Sequence, residues 1–267
     1  MKKLKSLNLI YFSPTRTTQK IIKAVAQGTG LENINEFNLT IPTVTSPLTE
    51  MDESHLAIFG SPVYAGRIPP EATSRLSQYK GNKTPAVIIV LYGNREYEDA
   101  LLELKEIVSN QGFVPIAAGA FIGEHSYSTS EKPIAENRPD HSDLQKALGF
   151  GEKIMRKAEN LATCEENSLP AIPGNFPYRE PRDFSTISPT SIESECTLCL
   201  DCVNACPTLA INEQNPAKTD KSLCIVCCAC VKVCPSGARV MDHPQIKTVA
   251  DWLYTNYSVR KEPETFV

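Results

Sequence analysis

The sequence predicts an α/β protein, a doubly wound domain with a five-stranded parallel sheet followed by a small cysteine-rich α+β domain. Three observations carry this. Residues 1–161 alternate near-continuous apolar runs with helix-like stretches, as strands do when they are buried on both faces between helices. Nine of the ten cysteines fall between residues 196 and 234. Between these regions, 162–192 holds five prolines and little periodicity, which reads as a surface linker. A chain of 267 residues has room for one medium domain and one small one.

In chain order, strands are expected at 7–12, 34–39, 55–60, 86–92 and 114–122. Helices are expected near 16–27, 70–79, 97–110 and 142–161. In the last of these, Leu144, Ala147, Phe150, Ile154, Ala158 and Leu161 recur at helical spacing. Residues 41–54 are rich in Pro, Thr and Ser, which disfavours a helix between the second and third strands. Five strands within 120 or so residues suit a compact doubly wound sheet. The cysteine-rich domain is placed at 193–241. In 242–267, Ile246, Val249 and Leu253, with Trp252 alongside, predict a closing helix docked on one domain. The opening MKKLKSLNLIYFSP is charged like a signal peptide. Its apolar stretch is short, however, and runs into Ser13-Pro14, so it reads as the first strand and the expected compartment is the cytoplasm. A net charge of −4 gives no case for nucleic acid, and no apolar run spans a bilayer.

The cysteines form one pattern twice. Cys196, Cys199, Cys202 and Cys206-Pro207 are repeated 28 residues later as Cys224, Cys227, Cys230 and Cys234-Pro235. This is the bacterial ferredoxin run for [4Fe–4S] clusters, whose fourth cysteine serves the other cluster. Three thiolates on a tight loop reach three irons of one cube, and the proline ends the local turn. One cluster then takes Cys196, Cys199, Cys202 and Cys234, and the second takes Cys224, Cys227, Cys230 and Cys206. Such crossed ligation couples cluster binding to folding. Structural zinc also uses Cys-x-x-Cys pairs, but the doubled spacing with both prolines leaves it little room. Cys228 sits at a variable position and is expected to pack beside a cluster. Cys164 reads as an ordinary free thiol. Exposed clusters of this kind are oxygen-labile, so the expected setting is anoxic.

After the first strand, Ser13, Thr15, Arg16, Thr17 and Thr18 lead directly into a helical pattern. Hydroxyls and free N–H groups at a helix start form an anion site, and this one lies at the end of a sheet strand where ligands bind. Residues 1–161 resemble a flavodoxin, whose phosphate loop reads [ST]-x-T-G-x-[ST]. Ser13, Thr15 and Thr18 match it, and Arg16 stands where the family has glycine. The whole chain resembles the flavodoxin–ferredoxin fusion proteins of anaerobic bacteria and archaea, which implies FMN beside the two clusters. The resemblance places the flavin ring between two more loops. One carries Ser61, Pro62, Val63, Tyr64 and Gly66, the other Gly93, Asn94, Arg95 and Tyr97. The glycines let backbone approach a flat ring, and Tyr64 or Tyr97 is placed to stack on it.

Residues 124–141 exceed the short connection a minimal flavodoxin needs, and long loops of this kind are often lids. His125, Tyr127, Arg138 and Asp140 are the candidates there for contact with a substrate, a partner or the cysteine-rich domain. An ordered surface loop is the plainer alternative. Functionally, the leading expectation is an electron-transfer flavoprotein relaying electrons between the clusters and FMN. Its redox partners would be a ferredoxin or a reductase, since no G-x-G-x-x-G follows a strand to hold a nicotinamide. The alternatives are an FMN-dependent reductase of a small molecule and a redox-sensing regulatory subunit. If the linker holds the domains apart, the path runs between subunits of a homodimer.

Overall fold

The computed structural model describes residues 4–42, 50–160, 169–181 and 183–267. Leu161, Cys164 and half of the Pro/Thr/Ser-rich stretch, 43–49, lie outside them. The elements run β1 (Ser6–Tyr11), α1 (Thr17–Thr29), β2 (Ile34–Asn38), β3 (Glu50–Met51), β4 (His55–Pro62), α2 (Pro70–Leu76), β5 (Lys80–Gly81), β6 (Thr84–Tyr92), α3 (Ala100–Ser109), β7 (Phe113–Ile122) and α4 (His141–Asn160). The C-terminal region adds β8 (Thr190–Ser191), α5 (Asp201–Asn204), α6 (Ala229–Lys232), β9 (Arg239–Val240), α7 (Pro244–Asn256) and β10 (Glu264–Phe266).

The five strands that the apolar runs predicted pair in parallel in the order β2-β1-β4-β6-β7. Alternate residues of β1, β4, β6 and β7 feed two cores, while β2 at the edge is largely exposed. In β6, Ala86, Ile88 and Val90 face the α2/α3 side, while Val87, Ile89 and Leu91 face the α1/α4 side. That double burial is why these strands read as unbroken apolar runs rather than as alternating ones. The order reverses between β1 and β4, and in open α/β sheets ligands bind outside the strand C-termini at such a switch.

The sheet has six strands rather than the expected five. β10, near the end of the chain, pairs antiparallel with β7, setting Glu264 against Ala120 and Phe266 against Ala118. Three residues after a proline carry too little pattern to announce a strand. Their pairing is fixed by the open edge of β7.

Two glycines set the spacing of α1 against α4. A Cβ on Gly28 would run into the carbonyl of Leu148, and one on Gly151 into the carbonyl of Val25. Gly149, on the same helix, has nothing within 4 Å of its would-be Cβ.

In the C-terminal region the sequence repeat becomes a structural one. α5 and α6 are equivalent single turns, and β8 pairs antiparallel with β9. Among the described residues no helix is long and apolar enough to cross a membrane.

The glycines give a test of opposite signs. Gly151→Ala forces α1 and α4 apart and is expected to lower stability by about 1–3 kcal/mol, the usual cost of overpacking. Gly149→Ala gains helix propensity and is expected to raise stability by up to about 1 kcal/mol. Chemical denaturation of the two variants beside the parent reads both.

Candidate functional site

The loops that leave the C-terminal ends of β1, β4, β6 and β7 surround a cavity of about 1060 Å³, part of it open to solvent. Thr15 and Thr17 line one end. Pro62, Val63, Tyr64, Gly66, Gly93 and Arg95 line its walls, as expected from the sequence. His125 and Tyr127 of the long loop join them, with their rings 4.9 Å apart.

At the Thr15–Thr18 end, Arg16 adopts φ 63°, ψ 1° as the N-cap of α1. Arg16, standing where the resemblance has glycine, thus holds a left-handed turn at about 1–2 kcal/mol of backbone strain. The Arg16 side chain is exposed and does not line the cavity. Ser13 Oγ accepts the Gln19 N–H (3.1 Å) and so acts as a cap for α1 rather than as a lining group. Among the described residues the N–H groups of Thr17 and Thr18 have no acceptor, and Thr18 Oγ1 is buried without a partner. These orphan donors at the positive end of a 13-residue helix suit a phosphate.

The β4 loop closes as a two-residue turn. Tyr64 and Arg67 exchange backbone hydrogen bonds (2.9 and 3.1 Å) around Ala65 (φ 52°) and Gly66 (φ 86°). Arg67 anchors this turn through two 2.8 Å bonds to Glu103 and stacks over Tyr178 of the linker.

Three expected ring-binding residues are placed elsewhere. Ser61 is fully buried, and its hydroxyl donates to the Pro62 carbonyl. Tyr97 is 4 % exposed, packs on Tyr92 and donates its hydroxyl to Glu264 of β10 (3.0 Å). Asn94 Nδ2 donates to the carbonyls of Tyr257 and Val259, and its Oδ1 accepts from Lys261 N–H. In the long loop, Arg138 is buried on Asp143 and donates to the Lys261 carbonyl, while Asp140 pairs with Arg260. Asn94, Tyr97, Arg138 and Asp140 thus strap the C-terminal tail down and do not line the cavity.

Sequence reasoning missed the roof. Phe184 of the linker, Ile225 and Val226 of the second cysteine loop, and Ile246, Val249, Trp252 and Leu253 of α7 close the cavity from above. The helical spacing in α7 was visible, but its destination depends on tertiary docking. The docking is explicit. Asp99 accepts from Asn175 N–H and Arg179 N–H of the linker, Arg75 donates to the Pro207 carbonyl (2.6 Å), and Lys232 pairs with Glu124. The linker is thus pinned to the sheet domain, and direct contacts pack the two regions together within one chain.

The cysteines ring two further, small cavities. Cys206, Cys224, Cys227 and Cys230 line one, with Cys228 beside them. Cys196, Cys199, Cys202 and Cys234 line the other. In each set one cysteine comes from the other half of the repeat, as the crossed pattern requires. Among the described residues no three His, Cys, Asp or Glu side chains converge on a single ion. The thiols stand around a space instead, as ligands to separate irons of one cube do. Leu198 and Leu200 in the first loop and Val226 and Cys228 in the second all have φ between 56° and 65°, so the fold repeats the strain as well as the spacing. Successive turns of this kind aim backbone N–H groups inward and make anion-binding concavities. Cys228 is 1 % exposed, and its thiol donates to the Val226 carbonyl. Burial pushes the Cys227 thiol well above its ordinary range, so a thiolate there calls for a cationic partner such as iron.

The rings differ in placement. Cys199 is exposed, whereas the Cys206 ring is buried against the large cavity. Ile225 lines both the large cavity and that inner ring.

Residues 189–212 and 217–240 each match the family model described as a 4Fe-4S binding domain. No curated protein matches the chain. Solved structures superpose on its N-terminal three-fifths. A flavodoxin from the domain Archaea aligns with TM-score 0.40 and 14 % identity, covering 58 % of this chain and 99 % of that one. A Fusobacterium nucleatum flavodoxin bound to flavin mononucleotide gives 0.38 and 16 %, covering 58 % and 98 %. The rubredoxin oxygen:oxidoreductase of the anaerobe Desulfovibrio gigas gives 0.43 and 16 %, covering 59 % of this chain and 37 % of that one. The strand order independently makes the N-terminal region flavodoxin-like, and the C-terminal region carries a ferredoxin-type 4Fe–4S domain.

His125 offers a pH test. Tyr127 N–H donates to its Nδ1 (3.1 Å), which leaves the ring proton on Nε2. Burial, with the Arg95 and Lys232 cations nearby, lowers its pKa from 6.5 to about 4. The unfolded chain binds the proton that the folded ring refuses, so this contribution is complete above pH 6.5 and is lost as the pH falls toward 4. Urea denaturation across that range should show a decline that His125→Gln flattens; identical slopes would count against it.

Proposed function

We propose that this chain is an electron-transfer iron–sulfur flavoprotein that exchanges electrons between two [4Fe–4S] clusters and an FMN. Cys196, Cys199, Cys202 and Cys234 would hold the outer cluster, and Cys206, Cys224, Cys227 and Cys230 the inner one. The large cavity would hold FMN, its phosphate on the free N–H groups of Thr17 and Thr18 and the Thr18 hydroxyl. When bound, the clusters supply one-electron chemistry and the flavin one- or two-electron chemistry.

The observation that carries this reading is the shared wall. Ile225 belongs to the inner cysteine ring and to the large cavity at once, so the two compartments adjoin across it. The residues around it do the rest. Val226, Ile246, Val249 and Leu253 cover the cavity with apolar surface and limit water beside the ring site. Arg75 and Lys232 clamp the cysteine loops to the sheet domain and hold the separation constant. Exposed Cys199, beside Leu198 at 67 % exposure, marks where a one-electron redox protein would approach. The proximity within one chain favours an internal path over one between subunits of a dimer.

Reduction of a small molecule at the flavin is the second reading. His125 and Tyr127 in the cavity wall favour it, although Arg138, also expected there, is withdrawn onto Asp143. Reduction assays with ferredoxin and with NAD(P)H, each with and without candidate acceptors, separate the two.

Anaerobic purification followed by iron, sulfide and flavin assays tests the assignment. About eight irons and one FMN per chain are expected. Cys206→Ala and Cys234→Ala should each lose iron. Zinc in place of iron, or four irons with both substitutions harmless, would refute the crossed assignment.

A further inference from the structure

Arg239 is 3 % exposed and lines both cysteine cavities. Its guanidinium donates to Ser191 Oγ (3.0 Å), the Pro216 carbonyl (3.3 Å), Thr219 Oγ1 (2.9 Å) and Cys230 Sγ (3.7 Å). Its Nε is buried with no partner. Among the described residues no carboxylate is among its partners. Arginine stays protonated in proteins, and a charge buried this deeply needs a counter-charge.

The repeat sharpens the point. The residue 28 positions earlier is Ile211, an apolar side chain that is also buried beside the inner ring. The second half of the repeat thus places a cation where the first half places an isoleucine. Packing alone is met by the isoleucine, so the charge answers another need. The guanidinium bonds the sulfur of Cys230, and it lines the outer cavity beside Cys202 and the inner one beside Cys206 and Cys224.

Building on the two-cluster reading, we infer that Arg239 is a positioning and potential-setting residue, a fixed cation between the two clusters that favours their reduced state. Each cluster gains one electron on reduction and becomes more negative, so a cation in its wall stabilises the product more than the reactant. Cluster potentials respond to net charge and to hydrogen bonds on the sulfurs. The bond to Cys230 makes the effect larger for the inner cluster.

The test uses anaerobically prepared parent, Arg239→Ile and Arg239→Lys chains, with iron and sulfide content measured before a redox titration followed by electron paramagnetic resonance. Arg239→Ile copies the other half of the repeat and should keep the packing. Its reduction equilibrium constant should fall at least tenfold for one or both clusters, which is about 59 mV for a one-electron couple. Arg239→Lys should stay within threefold of the parent. If Arg239→Ile cannot take up iron while Arg239→Lys can, the requirement for charge is equally supported. Full iron with unmoved potentials in Arg239→Ile overturns the assignment, as does loss of iron in both variants. A parent chain without iron overturns the iron–sulfur reading itself, and the proposal with it.

Discussion

The C-terminal third has little apolar core of its own. Around the cysteine loops, the buried cluster comprises Cys202, Cys206, Cys230, Ala210 and Ile211, and a second small cluster joins Ile187, Val226 and Ile246. That apolar surface is far too small to order some fifty residues against their conformational entropy. Contacts with the sheet domain add to it through Arg75 and Lys232, and each cysteine ring draws on both halves of the repeat, where a cross-link would tie most chain together. The strained backbone at Leu198, Leu200, Val226 and Cys228 fits the same account. Non-glycine residues hold left-handed conformations only where the surroundings over-determine them.

How far the sequence could be read follows from how local each signal is. β1, β4, β6 and β7 were legible because double burial writes itself into Val, Ile, Leu and Ala runs, whereas the two-residue strands β3 and β5 leave no such run. The cysteine rings were legible because ligand spacing is a property of one short loop and its copy. Asn94 and Tyr97 read as flavin contacts because they follow a strand at the right end of the sheet. Their side chains instead serve a tail more than 160 positions away, a partner that no local pattern reveals. Arg16 shows the converse. A glycine position filled by arginine looked like a departure, yet the backbone there holds a left-handed turn of the kind glycine favours.

The stretch between the domains was the least legible part and proves to be structural. Asn175 and Arg179 bind Asp99, Tyr178 lies under Arg67, and Phe184 reaches the large cavity. Proline-rich chain of low periodicity looks the same in a sequence whether it hangs free or is pinned at several points. Here each anchor is a hydrogen bond or a stacking contact made by one side chain. Such anchors leave no periodic trace.

The return of β10 to the edge of β7 gives the molecule an unusual mechanical character. The cysteine-rich module leaves the sheet domain after α4 and the chain comes back to the same sheet, so the module is an excursion moored at both ends. A carrier hung on a single flexible tether explores a wide volume and can shuttle between stations, at an effective concentration set by the tether. Double mooring removes that freedom. Under the proposed relay the module would not swing out to collect electrons; delivery would fall to diffusion of the partner, and the encounter rate would depend on what that partner finds on the outer face beside Cys199.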